Sequence, residues 1–150
     1  MFKRILVPVD GSPTSNKALS TALGLARDAG AGICVLHALD ELVYLGAYEG
    51  IPDLREIVRA DAQRVLDDAV AICKAAGIEA DKVLVDNPGQ RLGVSVAEEA
   101  RKRGSDLVVV GTHGRRGISR VLLGSGAEQI LRMSAIPVLS VRGDPPAHPA

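Results

Sequence analysis

Asp106-Leu107-Val108-Val109-Val110-Gly111 is an apolar run that ends on a glycine, and glycine then returns at a fixed interval: Gly114 after two residues, and Gly124 after nine more, followed by Ser125-Gly126. The run has the β-branched content of a strand buried on both faces, and a helical pattern begins at Ser125. The stretch therefore reads as a strand, a loop leaving the sheet, and a helix fed by that loop. Such loops hold phosphates, because glycine lets backbone N–H groups reach an anion with no Cβ in the way. The unpaired N–H groups of the helix start add partial positive charge.

Outward from this loop, short apolar runs alternate with helical periodicities, the pattern of a parallel sheet covered by helices. Strands are expected at Ile5 to Val9, Ile33 to Leu39, Lys82 to Val85, Asp106 to Val110 and Val138 to Val141. Ser12 offers an N-cap with Pro13 at the first helical position, and Ala18, Leu19, Ala22, Leu23 and Ala26 repeat until Gly30 stops the helix. A second helix spans Asp53 to Ala76, with Leu54, Ile57, Val65, Ala69, Ile72 and Cys73 on one face and Gly77 as its stop. Leu92, Val96, Ala97 and Ala100 mark a third, ended by Gly104, and a fourth runs from Ser125 to about Met133. The segment from Asp40 to Pro52 is irregular and is expected to connect elements or to act as a flap. The proline-rich tail, residues 143–150, is expected to be disordered, leaving one domain over residues 1–142. In such sheets ligands sit beyond the carboxyl ends of the strands where the strand order reverses. If strands one and four are neighbours, the turn Asp10-Gly11-Ser12 and the loop at Gly111 share one crevice.

Composition narrows the partners. The chain has 150 residues, 47% of them hydrophobic, which suffices for one buried core. Eighteen basic and 18 acidic side chains cancel, which removes the electrostatic case for nucleic acid or an anionic membrane. The only aromatic rings belong to Phe2, Tyr44 and Tyr48, too few for a base-stacking platform. Cys34 and Cys73 form no Cys-x-x-Cys pair and sit in apolar patterns, as core thiols in a reducing compartment do. No apolar run is long enough to span a membrane or to serve as a signal segment, so a cytoplasmic protein is expected.

Val7-Pro8-Val9-Asp10-Gly11-Ser12, Leu36-His37-Ala38 and Val110-Gly111-Thr112-His113-Gly114, with Gly124-Ser125 nine residues on, together resemble the universal stress protein family, from about Phe2 to Arg142. The glycine spacing is that of the family's ATP-binding branch. The resemblance implies a single α/β, Rossmann-like domain of the adenine nucleotide alpha hydrolase type: five parallel strands in the order 3-2-1-4-5, with four helices. It implies ATP, with Mg or Mn, at the carboxyl ends of strands one and four, cyclic AMP being the alternative. It also implies a homodimer, paired through the edge strand Val138, Leu139, Ser140 and Val141, and slow or absent turnover of the nucleotide. Carried onto this chain, Pro8, the backbone of Val9 and Asp10 approach the adenine and Ala38 lines the base pocket. Val110 and Gly111 approach the ribose, while Gly114, Arg115, Gly124, Ser125 and Gly126 hold the phosphates.

Other chemistries fit less well. No Gly-x-x-x-x-Gly-Lys-Ser/Thr supplies a P-loop lysine, and the third glycine of a dinucleotide fingerprint beginning at Gly124 is replaced by Gln129. A flavin site of flavodoxin type has no aromatic near the crevice. His113 and Asp10 lack a visible catalytic partner, and His37, in a buried strand, reads as a hydrogen-bonded core histidine. Binding therefore outranks hydrolysis, and the expected role is a nucleotide-dependent stress-response or regulatory protein with a possible further protein partner. Slow ATP hydrolysis or self-phosphorylation in the glycine loop is the enzymatic alternative. A nucleotide-free dimeric interaction module is the third reading.

Overall fold

The computed structural model describes residues 1–39, 53–87, 89–113 and 123–143. Expectations for the flap at 40–52, for Gly114 and Arg115, and for the tail beyond Gly143 lie outside the described residues. In chain order the described elements are β1 (Arg4–Pro8), α1 (Pro13–Ala29), β2 (Gly32–Ala38), α2 (Leu54–Ala75), β3 (Ala80–Val85), α3 (Leu92–Arg103), β4 (Leu107–Gly111), α4 (Ser125–Met133) and β5 (Val138–Val141). The five strands make one parallel sheet in the order β3-β2-β1-β4-β5, as expected. The strand order reverses at β1, where Ile5 stands between Ile33 of β2 and Leu107 of β4.

Alternation along the strands divides the core into two layers. Ile5, Val7, Val9, Ile33, Val35, Leu107 and Val109 face α1 and α2, where Leu19, Ala22, Val65, Leu66 and Cys73 close over them. Leu6, Cys34, Leu36, Val108 and Val110 face α3 and α4, against Val96, Ala100, Ala127 and Ile130. Each large side chain buried this way contributes roughly 1.5–3 kcal/mol. The central strands need apolar residues at every position, which is why they read as unbroken runs.

The helix boundaries follow local chemistry. Ser12 Oγ accepts the Ser15 N–H at 3.2 Å, Pro13 occupies the first helical position, and Gly30 takes up the left-handed conformation (φ 67°) that ends α1. Gly104 ends α3 in the same way, at φ 63°. Two expectations differ in detail. β3 begins at Ala80 because pairing with β2 starts where Ala80 meets Ile33. On α2, Ile57 and Ile72 are 62% and 43% exposed, because Ala62, Val65, Leu66, Ala69 and Cys73 already form the buried stripe and the two isoleucines fall to its outer side. Among the described residues no helix is long and apolar enough to cross a membrane.

Candidate functional site

The carboxyl ends of β1 and β4 bring the two suggestive segments together. β1 gives way to a turn in which Gly11 adopts φ 81°, a conformation that other residues rarely take. Asp10 Oδ1 accepts the Ser12 N–H at 2.9 Å, and the Asp10 N–H donates to Ser15 Oγ at 3.0 Å. Ser12 and Ser15 are buried, so the turn is braced from within α1. The neighbouring strand also contributes. The Val9 N–H donates to the Leu36 carbonyl at 2.7 Å, and His37 Nδ1 lies 2.5 Å from the Val9 carbonyl oxygen. A carbonyl oxygen only accepts, so Nδ1 carries the proton. His37 is hydrogen-bonded as expected but half-buried rather than in the core, and its partner is the strand end.

At β4, Gly111 lies against the first turn of α1: a Cβ there would fall 2.8 Å from Thr14 Cγ2 and 3.1 Å from the Thr14 carbonyl oxygen. Thr112 continues the strand direction, its N–H donating to the Val141 carbonyl at 2.9 Å. Its own carbonyl accepts the Gly124 N–H at 2.6 Å, which fastens the start of α4 to the end of β4. A Cβ on Gly124 would sit 2.8 Å from that same oxygen, so the close approach needs glycine. Gly124 flanks α4 with no side-chain cap, and its carbonyl accepts the Glu128 N–H at 2.9 Å. The N–H groups of Ser125, Gly126 and Ala127 precede any carbonyl of their own helix, and they are the donors this end presents. Gly124, whose N–H is engaged, shapes the site without donating to it.

The expected residues divide between the faces of the sheet. Ala38 and Val110 belong with the α3/α4 layer, and strand alternation puts Pro8 on the same side. Val9 belongs to the α1/α2 layer, where Gly111 also meets α1. A separate groove of about 240 Å³ between α1 and α2 includes Val9, Gly11, Asn16, Arg64 and Ala69 in its lining but no described residue of the glycine loop. Four contributors were not legible as site residues. Thr14, His37 and Thr112 act through contacts that depend on which elements are neighbours, and Ser15 through a local contact with the Asp10 N–H. Ser15 was the most accessible of them, lying three residues beyond an N-cap.

Thr112 also bears on whether a phosphate fits. Its side chain is buried at 6% exposure, and its hydroxyl has no hydrogen-bond partner in the structure. Buried hydroxyls are nearly always paired, because an unpaired one forfeits its solvation. The residue whose carbonyl anchors α4 thus carries an unpaired hydroxyl in the interior. Together with the exposed Ser125, the donors of the helix start suit an anion. Among the described residues no three His, Cys, Asp or Glu side chains are grouped as a metal site.

Comparison with known proteins gives the family and agrees with the fold. The model of the universal stress protein family matches residues 1–142. Universal stress protein YxiE of Bacillus subtilis is 29% identical over 152 residues, covering 95% of this chain and 100% of its own. Universal stress protein A homolog 2 of Coxiella burnetii is 31% identical over 146 residues, covering 94% and 95%. Among solved structures, the hypothetical protein MJ0577 shares the fold at a TM-score of 0.83, with 24% identity over 97% of this chain and 99% of its own. A universal stress protein family member from Burkholderia pseudomallei superposes at 0.73, with 32% identity over 93% and 95%. A universal stress protein solved in complex with cAMP superposes at 0.68, with 26% identity over 95% and 98%.

Proposed function

Because the chain belongs to the universal stress protein family, we propose that it binds ATP at the carboxyl ends of β1 and β4 and acts as a nucleotide-dependent stress-response or regulatory protein. The observation that carries this reading is the junction of β4 and α4. There Gly124 is held on the Thr112 carbonyl, the Thr112 hydroxyl is buried without a partner, and the first N–H groups of α4 have no partner among the described residues. Ser125, Gly126 and Ala127 would supply backbone donors to a phosphate, with Gly114 and Arg115 as the loop's further contributors. Ala38, Val110 and Pro8 would form an aliphatic wall for the base, while Asp10 and the Val9 backbone bound it from β1. Mg or Mn would accompany ATP, screening the phosphate charge.

Cyclic AMP is the second reading, supported by the relative solved with that ligand. One preparation tests both. Protein purified without added nucleotide is denatured, and the released small molecules are identified by mass spectrometry. Binding of ATP with magnesium, and of cyclic AMP, is then measured by calorimetry. ATP or ADP near one per chain, or micromolar binding lost in Gly124→Asp, supports the first reading. Cyclic AMP in the released fraction turns the site toward second-messenger binding. An empty protein that binds neither sinks both and leaves the dimeric interaction module.

A further inference from the structure

We infer that His37 is a positioning residue of the nucleotide site, acting through the peptide that joins Val9 to Asp10. The inference rests on the nucleotide reading above and deepens it. The Val9 carbonyl and the Asp10 N–H belong to one planar peptide group, so fixing both fixes the whole plane. His37 Nδ1 holds the carbonyl at 2.5 Å from β2, and Ser15 Oγ holds the N–H at 3.0 Å from α1. The preceding peptide is fixed as well, because the Val9 N–H donates to the Leu36 carbonyl at 2.7 Å.

This peptide is where β1 leaves the ladder. Register with β2 ends at Pro8, which stands opposite Leu36, so ordinary strand pairing does not orient the Val9 carbonyl. A side chain does so instead, and it comes from the residue next to Ala38 on the strand expected to line the base pocket. The direction of the plane sets where the Asp10 carboxylate begins, and Asp10 then closes the turn onto Ser12. His37 therefore touches no nucleotide atom in this account. It determines the geometry of the two residues, Val9 and Asp10, expected to bound the base.

The proton must lie on Nδ1, and that requirement gives a spectroscopic signature. The imidazole nitrogen shifts of labelled wild-type protein, measured without nucleotide, should show a protonated Nδ1 at His37. A protonated Nε2 with bare Nδ1 would overturn the proposal.

The functional test compares His37→Asn, which keeps a donor near the Nδ1 position, with His37→Leu, which does not. Binding of ATP with magnesium is measured for each variant that keeps the wild-type circular dichroism. The expected result is about tenfold weaker binding for His37→Leu and recovery to within about twofold for His37→Asn, the size of one lost hydrogen bond. Ser15→Ala should weaken binding in the same direction, and the His37→Leu/Ser15→Ala double variant should lose less than the product of the two, since both act on one peptide plane. Equal binding by His37→Leu and wild type, or equal loss in His37→Leu and His37→Asn, overturns the inference while leaving the nucleotide site intact. Wild-type protein that binds neither ATP nor cyclic AMP overturns the functional reading and this one with it.

Discussion

Gly111 lies in contact with Thr14, so close that a Cβ on the glycine would fall 2.8 Å from Thr14 Cγ2 and 3.1 Å from backbone atoms of the same residue. The carboxyl end of β4 and the amino end of α1 are thereby pressed together, which brings the start of the glycine loop against the helix that follows the Asp10 turn. The glycine has a steric reason independent of any ligand. Gly111→Ala is expected to lower stability by about 1–3 kcal/mol, since α1 backbone must move to admit the methyl group. Urea unfolding of the nucleotide-free protein measures this, and an unchanged midpoint would mean that the contact yields without cost.

Thr112 supports an opposite pair of effects. Its hydroxyl is buried without a partner, whereas valine has nearly the same shape and no polar atom. Thr112→Val is expected to stabilise the nucleotide-free protein by about 1 kcal/mol, by removing an unsatisfied group from the interior. It should weaken ATP binding if that hydroxyl turns to the phosphate. Thermal unfolding and calorimetry on the same variant read the two effects separately, and a loss of stability would show that the hydroxyl is already satisfied.

Much of this architecture was legible in the residues, and the portion that was not has a common cause. Strand runs such as Ile5 to Val9, the Ser12-Pro13 helix start and the stops at Gly30 and Gly104 depend on neighbours within a few positions, and they stand within a residue of where expected, β1 running from Arg4 to Pro8. His37 was readable as a hydrogen-bonded histidine, but its partner Val9 depends on the parallel register of β1 and β2. Gly111 and Gly124 read as ligand glycines, while the structure adds contacts with Thr14 and Thr112 that no local pattern announces. Gly93 went unremarked although a Cβ there would meet the Gln129 carbonyl oxygen at 2.7 Å, where α3 packs closely on α4. Ile57 and Ile72 looked like core because they fit a helical face. Which of two adjacent stripes is buried is decided by the sheet beneath it.

Cys34 and Cys73 are 3% and 0% exposed, and burial pushes both thiols above the ordinary cysteine range, for Cys34 against the lowering influence of Arg103. A thiol held protonated and out of solvent is a poor nucleophile. Both cysteines are expected to resist a thiol-specific reagent at pH 8 in the native protein and to react together on unfolding. Rapid labelling of either in the folded state would show local opening of that layer.

Asp106 ties the amino ends of β1 and β4, accepting the Lys3 N–H at 2.8 Å and the Arg4 N–H at 3.0 Å. Partial burial alone would raise its carboxyl, but these hydrogen bonds and that of its own N–H outweigh burial and hold it below the usual range. A carboxylate lowered in the folded state stabilises above its unfolded pKa of about 3.9, and that contribution fades as the pH falls through the folded value. Asp106→Asn should therefore be less stable than wild type at pH 7, with the gap narrowing below about pH 4. A gap independent of pH would mean that shape, not charge, is what the asparagine disturbs.

β5 is the edge next to β4, and its outward row of peptide groups is the surface on which a second copy would pair. In a parallel pair, alternate residues of a strand bond the same neighbour. The Val108 N–H donates to the Pro137 carbonyl and the Thr112 N–H to the Val141 carbonyl, so residues 137, 139 and 141 face β4 while Val138 and Ser140 turn their backbone groups outward. Leu139 is 38% exposed, giving the edge apolar surface to bury on association. Proline at position 140 removes one outward N–H and spares the ladder to β4, the circumstance in which an edge strand tolerates proline. Ser140→Pro is expected to stay folded by circular dichroism and to shift the mass in light scattering from twice the 15.7 kDa chain to a single chain. A wild-type monomer would remove edge pairing altogether, and a dimer that survives the proline would place the interface elsewhere, for which the exposed Leu131 and Met133 of α4 are the next residues to change.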